Sequence, residues 1–416
     1  MDTLHGWISE IRDMGGIKFI ILRNRDDLYQ ITLPKKRVSE ELFSSIDNLN
    51  KEDVILVEGS MQEAKSRDFS TEMIPERIVI INKSTTPLPL DPNEKVKAEL
   101  DTRLDNRFLD IRKPWVSSIF KIRHSLLKHA REYLDSQDFL EIHTSKIISA
   151  SSEGGTELFP IKYFEKNAFL SQSPQLYKQM TMAGGFERIY EIAWYFRAEE
   201  HNTTRHLNES TAIDIEMSFI DSEEDVMCVL ENLIHNVLKG LKADRQAELE
   251  MLGVDLKVPQ LPFKRLTYDN AIDILTSNDY RIEWGEDLGT EGERVLGNVM
   301  MEEGHEYYFI KSYPRNKVFY IMPDGEYCRG FDLDCKGIEL TSGGQRCHEY
   351  DVIYDRIMEF GMNPENFKDY LKIFKYGMPP HGGFGFGIER WMMEILDLKN
   401  IRECILFPRD RNRTTP

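Results

Sequence analysis

The chain has 416 residues, 41% apolar and 11% aromatic, which is too long for one small core and too apolar for disorder, so two domains are expected, one of them large. A formal net charge of −18 excludes indiscriminate nucleic-acid binding but leaves room for a local basic surface. No run of about 18 apolar residues predicts a membrane span, and the opening MDTLHGWISE predicts no signal peptide.

The five cysteines (Cys228, Cys328, Cys335, Cys347, Cys404) are scattered, as expected of free thiols in a reducing compartment. A zinc site made of Cys328, Cys335, Cys347 and His348 fits no common ligand spacing.

Residues 1–85 read as β structure. The runs HGWISEI, IKFIILRN, LYQITL, DVILVEGSMQE and ERIVIINK are β-branched and separated by Gly, Asp, Asn and Pro. Five such strands, with the helical SEELFSSIDNL after the third, follow the plan of an OB-fold barrel. Within residues 11–37, seven basic residues (Arg12, Lys18, Arg23, Arg25, Lys35, Lys36, Arg37) face three acids (Asp13, Asp26, Asp27), a net +4. On charge alone this is a solvated strand face, and on pattern alone Phe19 is a core residue. STTPLPLDP then marks a linker, and residues 86–113 are expected to form a hinge that ends in an amphipathic charged stretch.

From residue 114 to 416 the pattern is α+β. VSSIFKIRHSLLKHAREYLDSQ places Val116, Ile119, Ile122, Leu126 and Leu127 at helical spacing, and FLEIHTSKI reads as a strand after it. Short strands then alternate with a helix from Ala168 to Phe219, and EEDVMCVLENLIHNVLKGLK predicts a second long helix. EYYFIKSY, KVFYIMP and CRGFDLDCKGIELTSG read as neighbouring strands of a mainly antiparallel sheet flanked by helices.

Three clusters carry chemistry. The string FRAEEHNTTRHLNE (196–209) sets Arg197, His201, Arg205 and His206 among Glu199, Glu200 and Glu209, which suits a nucleoside triphosphate beside a charged small molecule. Gly382, Gly383, Gly385 and Gly387 open the helical run IERWMMEIL, with Arg390 as a forked cation for a phosphate tail; no Walker loop is present. In FDLDCKGIELTSGGQR, Asp332 and Glu339 can share a hairpin face and hold a divalent ion, or stand as exposed acids on an edge strand. Upstream, Gly154 and Gly155 predict a loop. Gln175 and Lys178, three apart, point the same way on a helix, as pairs on ordinary surface helices also do.

In order and spacing these strings resemble the class II aminoacyl-tRNA synthetases, and among them the aspartyl-tRNA synthetases of the archaeal and eukaryotic type. Residues 116–147 are similar to motif 1, 190–219 to motif 2 and 382–396 to motif 3. The resemblance implies ligation of L-aspartate to tRNA-Asp, and to tRNA-Asn in some members, through ATP and an aspartyl-adenylate. Arg197, Arg390 and Glu339 would be catalytic. Ala198, Glu199, Arg205, His206, Leu207, Gly387, Ile388 and Glu389 would complete the ATP site, with Mg2+ on Glu339 and Ser342 supported by Asp332. Aspartate would meet Glu153, Gln175, Leu176, Tyr177, Lys178, Asp214, Ser342 and Arg346, together with Arg197. Phe19, Arg23 and Gln30 would read the anticodon. A cytoplasmic homodimer is implied.

Three positions depart from the family pattern: Ser145 and Val318 stand where proline is common, and Ser210 where an aromatic ring is. The alternatives are an asparaginyl-tRNA synthetase, which tends to lack a lysine at the position of Lys178, and a non-catalytic tRNA-binding paralogue, which tends to lose a motif arginine. An asparagine synthetase built on the same catalytic domain would lack residues 1–85.

Overall fold

A computed structural model describes residues 1–25, 27–66, 68–149, 158–200 and 202–416. It divides into two compact units, Met1–Ser117 and Ser118–Pro416.

In the first unit, strands β1 (Asp2–Asp13), β2 (Ile17–Asn24), β3 (Asp27–Pro34), β4 (Val54–Glu63) and β5 (Thr71–Asn82) close into a barrel in the order β1-β2-β3-β5-β4. Closure is possible because β4 pairs with both β5 and β1. Ile8, Ile20, Leu22, Ile31, Leu33, Ile55, Val57 and Met73 fill the interior, and Phe43 of the short helix Glu40–Ser45 joins them. Strand alternation turns Phe19 away from Ile20, so Phe19 is half-buried on the outer surface instead of a core residue. The segment expected as a hinge carries two short helices, Leu100–Asp105 and Arg107–Asp110. They are drawn together by the fully buried Asp110, which pairs with Arg103 (3.0 Å), Arg107 (2.6 Å) and Lys113 (3.1 Å).

The second unit is built on an eight-stranded sheet. Its strands are β6 (Leu140–Glu141), β7 (Arg188–Phe196), β8 (Glu209–Ser218), β9 (Lys264–Thr267), β10 (Tyr307–Lys311), β11 (Gly330–Cys335), β12 (Ile338–Gln345) and β13 (His381–Gly387). They run in the order β9-β10-β11-β12-β13-β8-β7-β6. The inner pairings are antiparallel and the two edge pairings parallel. The long helices Pro114–Ser136 and Glu223–Asp244 carry the expected apolar stripes, and a capping box of Ser222 and Asp225 starts the latter.

Three expectations are corrected. FLEIHTSKI forms no single strand: Leu140–Glu141 pairs with β7, whereas Ile147–Ile148 pairs with Lys166–Leu170 in a separate small sheet. KVFYIMP forms no strand of the large sheet: Ile321 makes one isolated bridge to Arg346 and Pro323 pairs with Cys328 in a separate two-residue ribbon, although Phe319 and Ile321 are buried; its alternation reflects packing more than a ladder. The string GGFGFG leads directly into the helix Ile388–Ile395, with Gly387 as its N-cap, as expected, but it does so as the buried strand β13, between β8 and β12, and not as a turn.

Those glycines have a steric reason. A Cβ on Gly383 would lie 2.1 Å from the Ile215 carbonyl oxygen and 2.3 Å from the Glu216 carboxylate. One on Gly385 would lie 2.6 Å from the Tyr195 hydroxyl. The strand is thin so that polar side chains of its neighbours can lie across it.

None of the five cysteines forms a disulfide; Cys228 is exposed and the other four are buried. No helix among the described residues is long and apolar enough to cross a membrane.

We expect Gly383→Ala to lower stability by about 1–3 kcal/mol through overpacking, measured as an earlier thermal unfolding transition of the purified protein.

Candidate active site

A cleft of about 320 Å³ is floored by β8, β12 and β13 and walled by Arg197, Glu199, Arg205, His206 and Leu207 and by the segment 317–321. Its chemistry changes along its length.

At the closed end lie four buried charges. Lys178, one turn into the helix Gln175–Ala183, places Nζ 2.8 Å from Asp214 Oδ1 and 3.4 Å from Glu216 Oε2. The same ammonium donates to the carbonyl oxygens of Ile215 (3.1 Å) and Phe384 (3.3 Å). Arg346 donates to Glu216 Oε1 (3.0 Å), to the Gly383 carbonyl (2.8 Å) and to Gln175 Oε1 (3.2 Å). The Tyr195 hydroxyl donates to Asp214 Oδ2 at 2.5 Å. Burial tends to raise both carboxyls. Asp214 stays above its ordinary value despite Lys178, whereas Arg346 and Lys178 hold Glu216 below its own.

In the middle of the cleft the Arg197 guanidinium lies over the Tyr195 ring (5.6 Å) and 3.9 Å from Glu199. Glu199 is 3.8 Å from His206, whose Nδ1 is 2.6 Å from the Thr203 hydroxyl. This loop is held in shape locally. The Asn208 amide donates to the carbonyls of Arg197 (2.8 Å) and Glu199 (3.1 Å). Arg402 joins Asn202 (2.5 Å), the Thr203 carbonyl (3.0 Å) and Asp410 (2.5 Å).

At the far end Arg390 donates to the Glu339 carbonyl at 3.3 Å. Across the β11–β12 ladder Asp332 faces Ser342, and its carboxylate pairs with Lys317. The other oxygen of Asp332, Oδ1, is buried without a partner. Burial and the neighbouring Asp332 push the Glu339 carboxyl up to about 7, against Lys317 and Arg390. An orphaned carboxylate oxygen beside a carboxyl reluctant to ionise is the donor set a hard divalent cation relieves. Among the described residues no group of three His, Cys, Asp or Glu side chains could hold a metal, so phosphate oxygens would have to complete the coordination shell.

The cleft thus gathers Gln175, Arg197, Glu199, Arg205, His206, Leu207, Asp214, Glu339, Ser342, Arg346, Gly387, Glu389 and Arg390. It is not lined by Ala198, Leu176, Tyr177, Lys178, Asp332 or Ile388. Leu176 packs against an apolar cluster, Ile388 is fully buried, and Lys178 acts from beneath the floor. Glu153 lies outside the described residues. The Glu389 carboxylate accepts from the Thr211 amide (2.9 Å) and from Arg123 (2.7 Å), tying the strand to the helix Pro114–Ser136.

Sequence reading missed Tyr195, Lys317, Tyr320, Arg123 and Glu216. Only Glu216 left a signal, two residues after Asp214 and hence on the same strand face.

The barrel carries its own polar cluster. Glu72, buried, accepts from Gln30 (2.9 Å), Thr32 (2.5 Å) and Gln62 (2.7 Å). With its amide nitrogen committed to Glu72, Gln30 has its oxygen left to accept. Arg23 is paired with buried Glu52 at 2.6 Å.

Residues 99–411 match the family of class II tRNA synthetases (D, K and N), and residues 3–81 the OB-fold nucleic acid binding domain. The chain belongs to the class II tRNA synthetases. Two relatives are the aspartate--tRNA(Asp) ligase of Thermococcus kodakarensis and the aspartate--tRNA(Asp/Asn) ligase of Methanopyrus kandleri. The first is 55% identical and the second 52%, each over 99% of this chain and 95% of the relative.

Among solved structures, the asparaginyl-tRNA synthetase of Pyrococcus horikoshii with asparaginyl-adenylate superposes with a TM-score of 0.93. It is 34% identical over 100% of this chain and 96% of its own. A putative aspartyl-tRNA synthetase from Leishmania major superposes at 0.89, with 28% identity over 100% of this chain and 92% of its own. The fold of a class II synthetase therefore does not separate aspartate from asparagine.

Glu216→Gln in this synthetase removes the carboxylate shared by Lys178 and Arg346. Stability is expected to fall by roughly 3–5 kcal/mol, the usual cost of stranding buried charge, measured by chemical denaturation.

Proposed function

We propose that this class II synthetase ligates L-aspartate to tRNA-Asp through an aspartyl-adenylate. The observation that carries the reading is Arg346 at the closed end of the cleft, with Lys178 beneath it and Glu216 between them. Aspartate brings three charged groups, and the cleft offers an opposite partner for each. The α-carboxylate would meet Arg197, the ammonium group Asp214 and Gln175, and the side-chain carboxylate Arg346, with Lys178 adding its charge from beneath the floor. Asparagine would present a neutral amide there and leave buried cation poorly compensated. The relatives that are 50–56% identical and named aspartate--tRNA ligases support the same choice.

In the reaction, the α-carboxylate oxygen attacks the α-phosphorus of ATP and the bond to pyrophosphate breaks. No protein nucleophile is needed. Arg197 would stabilise charge growing on the α-phosphate, and Arg390 would hold the γ-phosphate end, so that catalysis is positioning and electrostatic stabilisation. Glu339, Ser342 and Asp332 would hold Mg2+ against the phosphates, where the ion neutralises phosphate charge. The tRNA's terminal ribose hydroxyl then takes the aspartyl group, releasing AMP.

The barrel would read the anticodon, with Phe19 stacking a base and the Gln30 oxygen accepting from a base edge. A cytoplasmic homodimer completes the proposal, with mass by light scattering as its measurement.

The test is ATP-dependent charging of labelled aspartate onto separate tRNA-Asp and tRNA-Asn transcripts. Label on tRNA-Asp alone means a discriminating enzyme. Label on both means one that also supplies aspartyl-tRNA-Asn. Label on neither, from folded protein, overturns the assignment.

Arg197→Ala is expected to lower aspartate-dependent ATP–pyrophosphate exchange by roughly 10²–10³-fold. Phe19→Ala should weaken tRNA binding by about 1–3 kcal/mol and leave that exchange unchanged.

A further inference from the structure

Behind the closed end of the cleft, four buried side chains form one continuous line of hydrogen bonds. The His381 Nδ1 donates to the Pro379 carbonyl at 2.9 Å, and its Nε2 lies 2.8 Å from the Gln179 amide nitrogen. Gln179 Oε1 accepts from the Tyr370 hydroxyl at 3.0 Å and from the Gln175 amide nitrogen at 3.2 Å. Gln175 Oε1 accepts from Arg346 at 3.2 Å. Gln179 and His381 are wholly buried, so neither meets substrate.

The direction of this line is fixed at both ends. A carbonyl oxygen can only accept, so Nδ1 of His381 carries the proton and Nε2 of the neutral ring accepts. A guanidinium can only donate, so Gln175 must turn its oxygen towards Arg346. Gln179 is the one link that satisfies both, with its nitrogen to the imidazole and its oxygen to Gln175. Reversing either amide would set donor against donor at one contact and acceptor against acceptor at the other inside a buried site, an arrangement that costs far more than an ordinary hydrogen bond contributes.

We infer that Gln179 and His381 are positioning residues for amino-acid recognition, fixing the orientation in which Gln175 presents its oxygen to the substrate ammonium group and to Arg346. The inference rests on the aspartate-activating reading above. Gln175 and Arg346 touch the substrate in that reading, whereas Gln179 and His381 act through them. The carboxamide oxygen has two lone pairs: one is occupied by Arg346 and the other is left for the ammonium. A reversed amide would offer that ammonium an N–H instead.

The test compares wild type, Gln179→Leu, Gln179→Glu and Tyr370→Phe in ATP–pyrophosphate exchange, with KM measured separately for aspartate and for ATP. Wild-type exchange with aspartate is read first; its absence overturns the functional reading itself, before any variant is scored. Q179L removes the acceptor that holds Gln175, and KM for aspartate is expected to rise about tenfold or more while KM for ATP stays within about twofold. Q179E keeps an acceptor for Gln175 and Tyr370, with His381 taking up a proton to donate to the carboxylate. Its KM for aspartate should stay within about threefold of wild type. Y370F removes a hydroxyl from the same buried cluster without changing the polarity of the line, and should behave like wild type.

A folded Q179L with unchanged KM for aspartate overturns the inference, and so does an equal rise in both KM values, which would mark a merely structural role. Should Q179L not fold, Q179E carries the test: a tenfold or greater rise in its KM for aspartate overturns the inference.

Discussion

Two cations and two carboxylates buried together are the constraint around which the catalytic unit is arranged. Lys178, Arg346, Asp214 and Glu216 are each almost wholly removed from water, and none would be tolerable there alone. Their mutual distances of 2.8 to 3.4 Å require three strands and a helix to approach closely. The glycines of β13 permit that approach. Gly383 leaves room for the Glu216 carboxylate and Gly385 for the Tyr195 hydroxyl, so the composition of one strand answers to the charges beside it. Backbone carbonyls of Ile215, Phe384 and Gly383 then satisfy the remaining donors of the two cations.

From that closed end outwards the cleft passes through regions of different electrostatic character. The paired charges at the bottom are buried. Arg197, Glu199 and His206 in the middle are more open and belong to a loop tied down by Asn208 and Arg402. At the far end, Asp332 and Glu339 crowd each other, with Lys317 and Arg390 as partial relief. A zwitterion with an extra carboxylate suits the bottom, and a polyphosphate with its counter-ion suits the top. The reacting atoms would meet between them, at Arg197.

Much of this was legible in the sequence because the informative residues lie in short strings. FRAEEHNTTRHLNE carries the loop and the arginine at the centre of the cleft within fourteen residues. Strand alternation in the barrel was equally plain, since each strand has one dry face. What stayed hidden depends on contacts between distant segments. Arg123 on a helix and Glu389 after the glycine strand are 266 residues apart, and no local period links them. KVFYIMP has the apolar alternation of a strand, yet joins the large sheet nowhere and makes only an isolated bridge and a terminal two-residue pairing, because burial without a ladder produces the same pattern. GGFGFG was misjudged for the opposite reason. Glycine normally weakens a strand, and only neighbours that need the missing side chains' volume explain four glycines within six residues at a sheet's centre. Phe19 shows that apolarity alone does not tell which side of a strand faces the core.

The distribution of thiols has a practical side. Burial raises the Cys328 thiol above its ordinary value and pushes Cys347 up to about 12, and it raises Cys335 as well. Thiols held protonated and out of solvent are poor nucleophiles towards maleimides and mild oxidants. Cys228, on the outer face of the helix Glu223–Asp244, is exposed. The native chain therefore offers a single reactive handle for a fluorophore or spin label, itself not among the residues lining the cleft, and needs no cysteine to be engineered in or out.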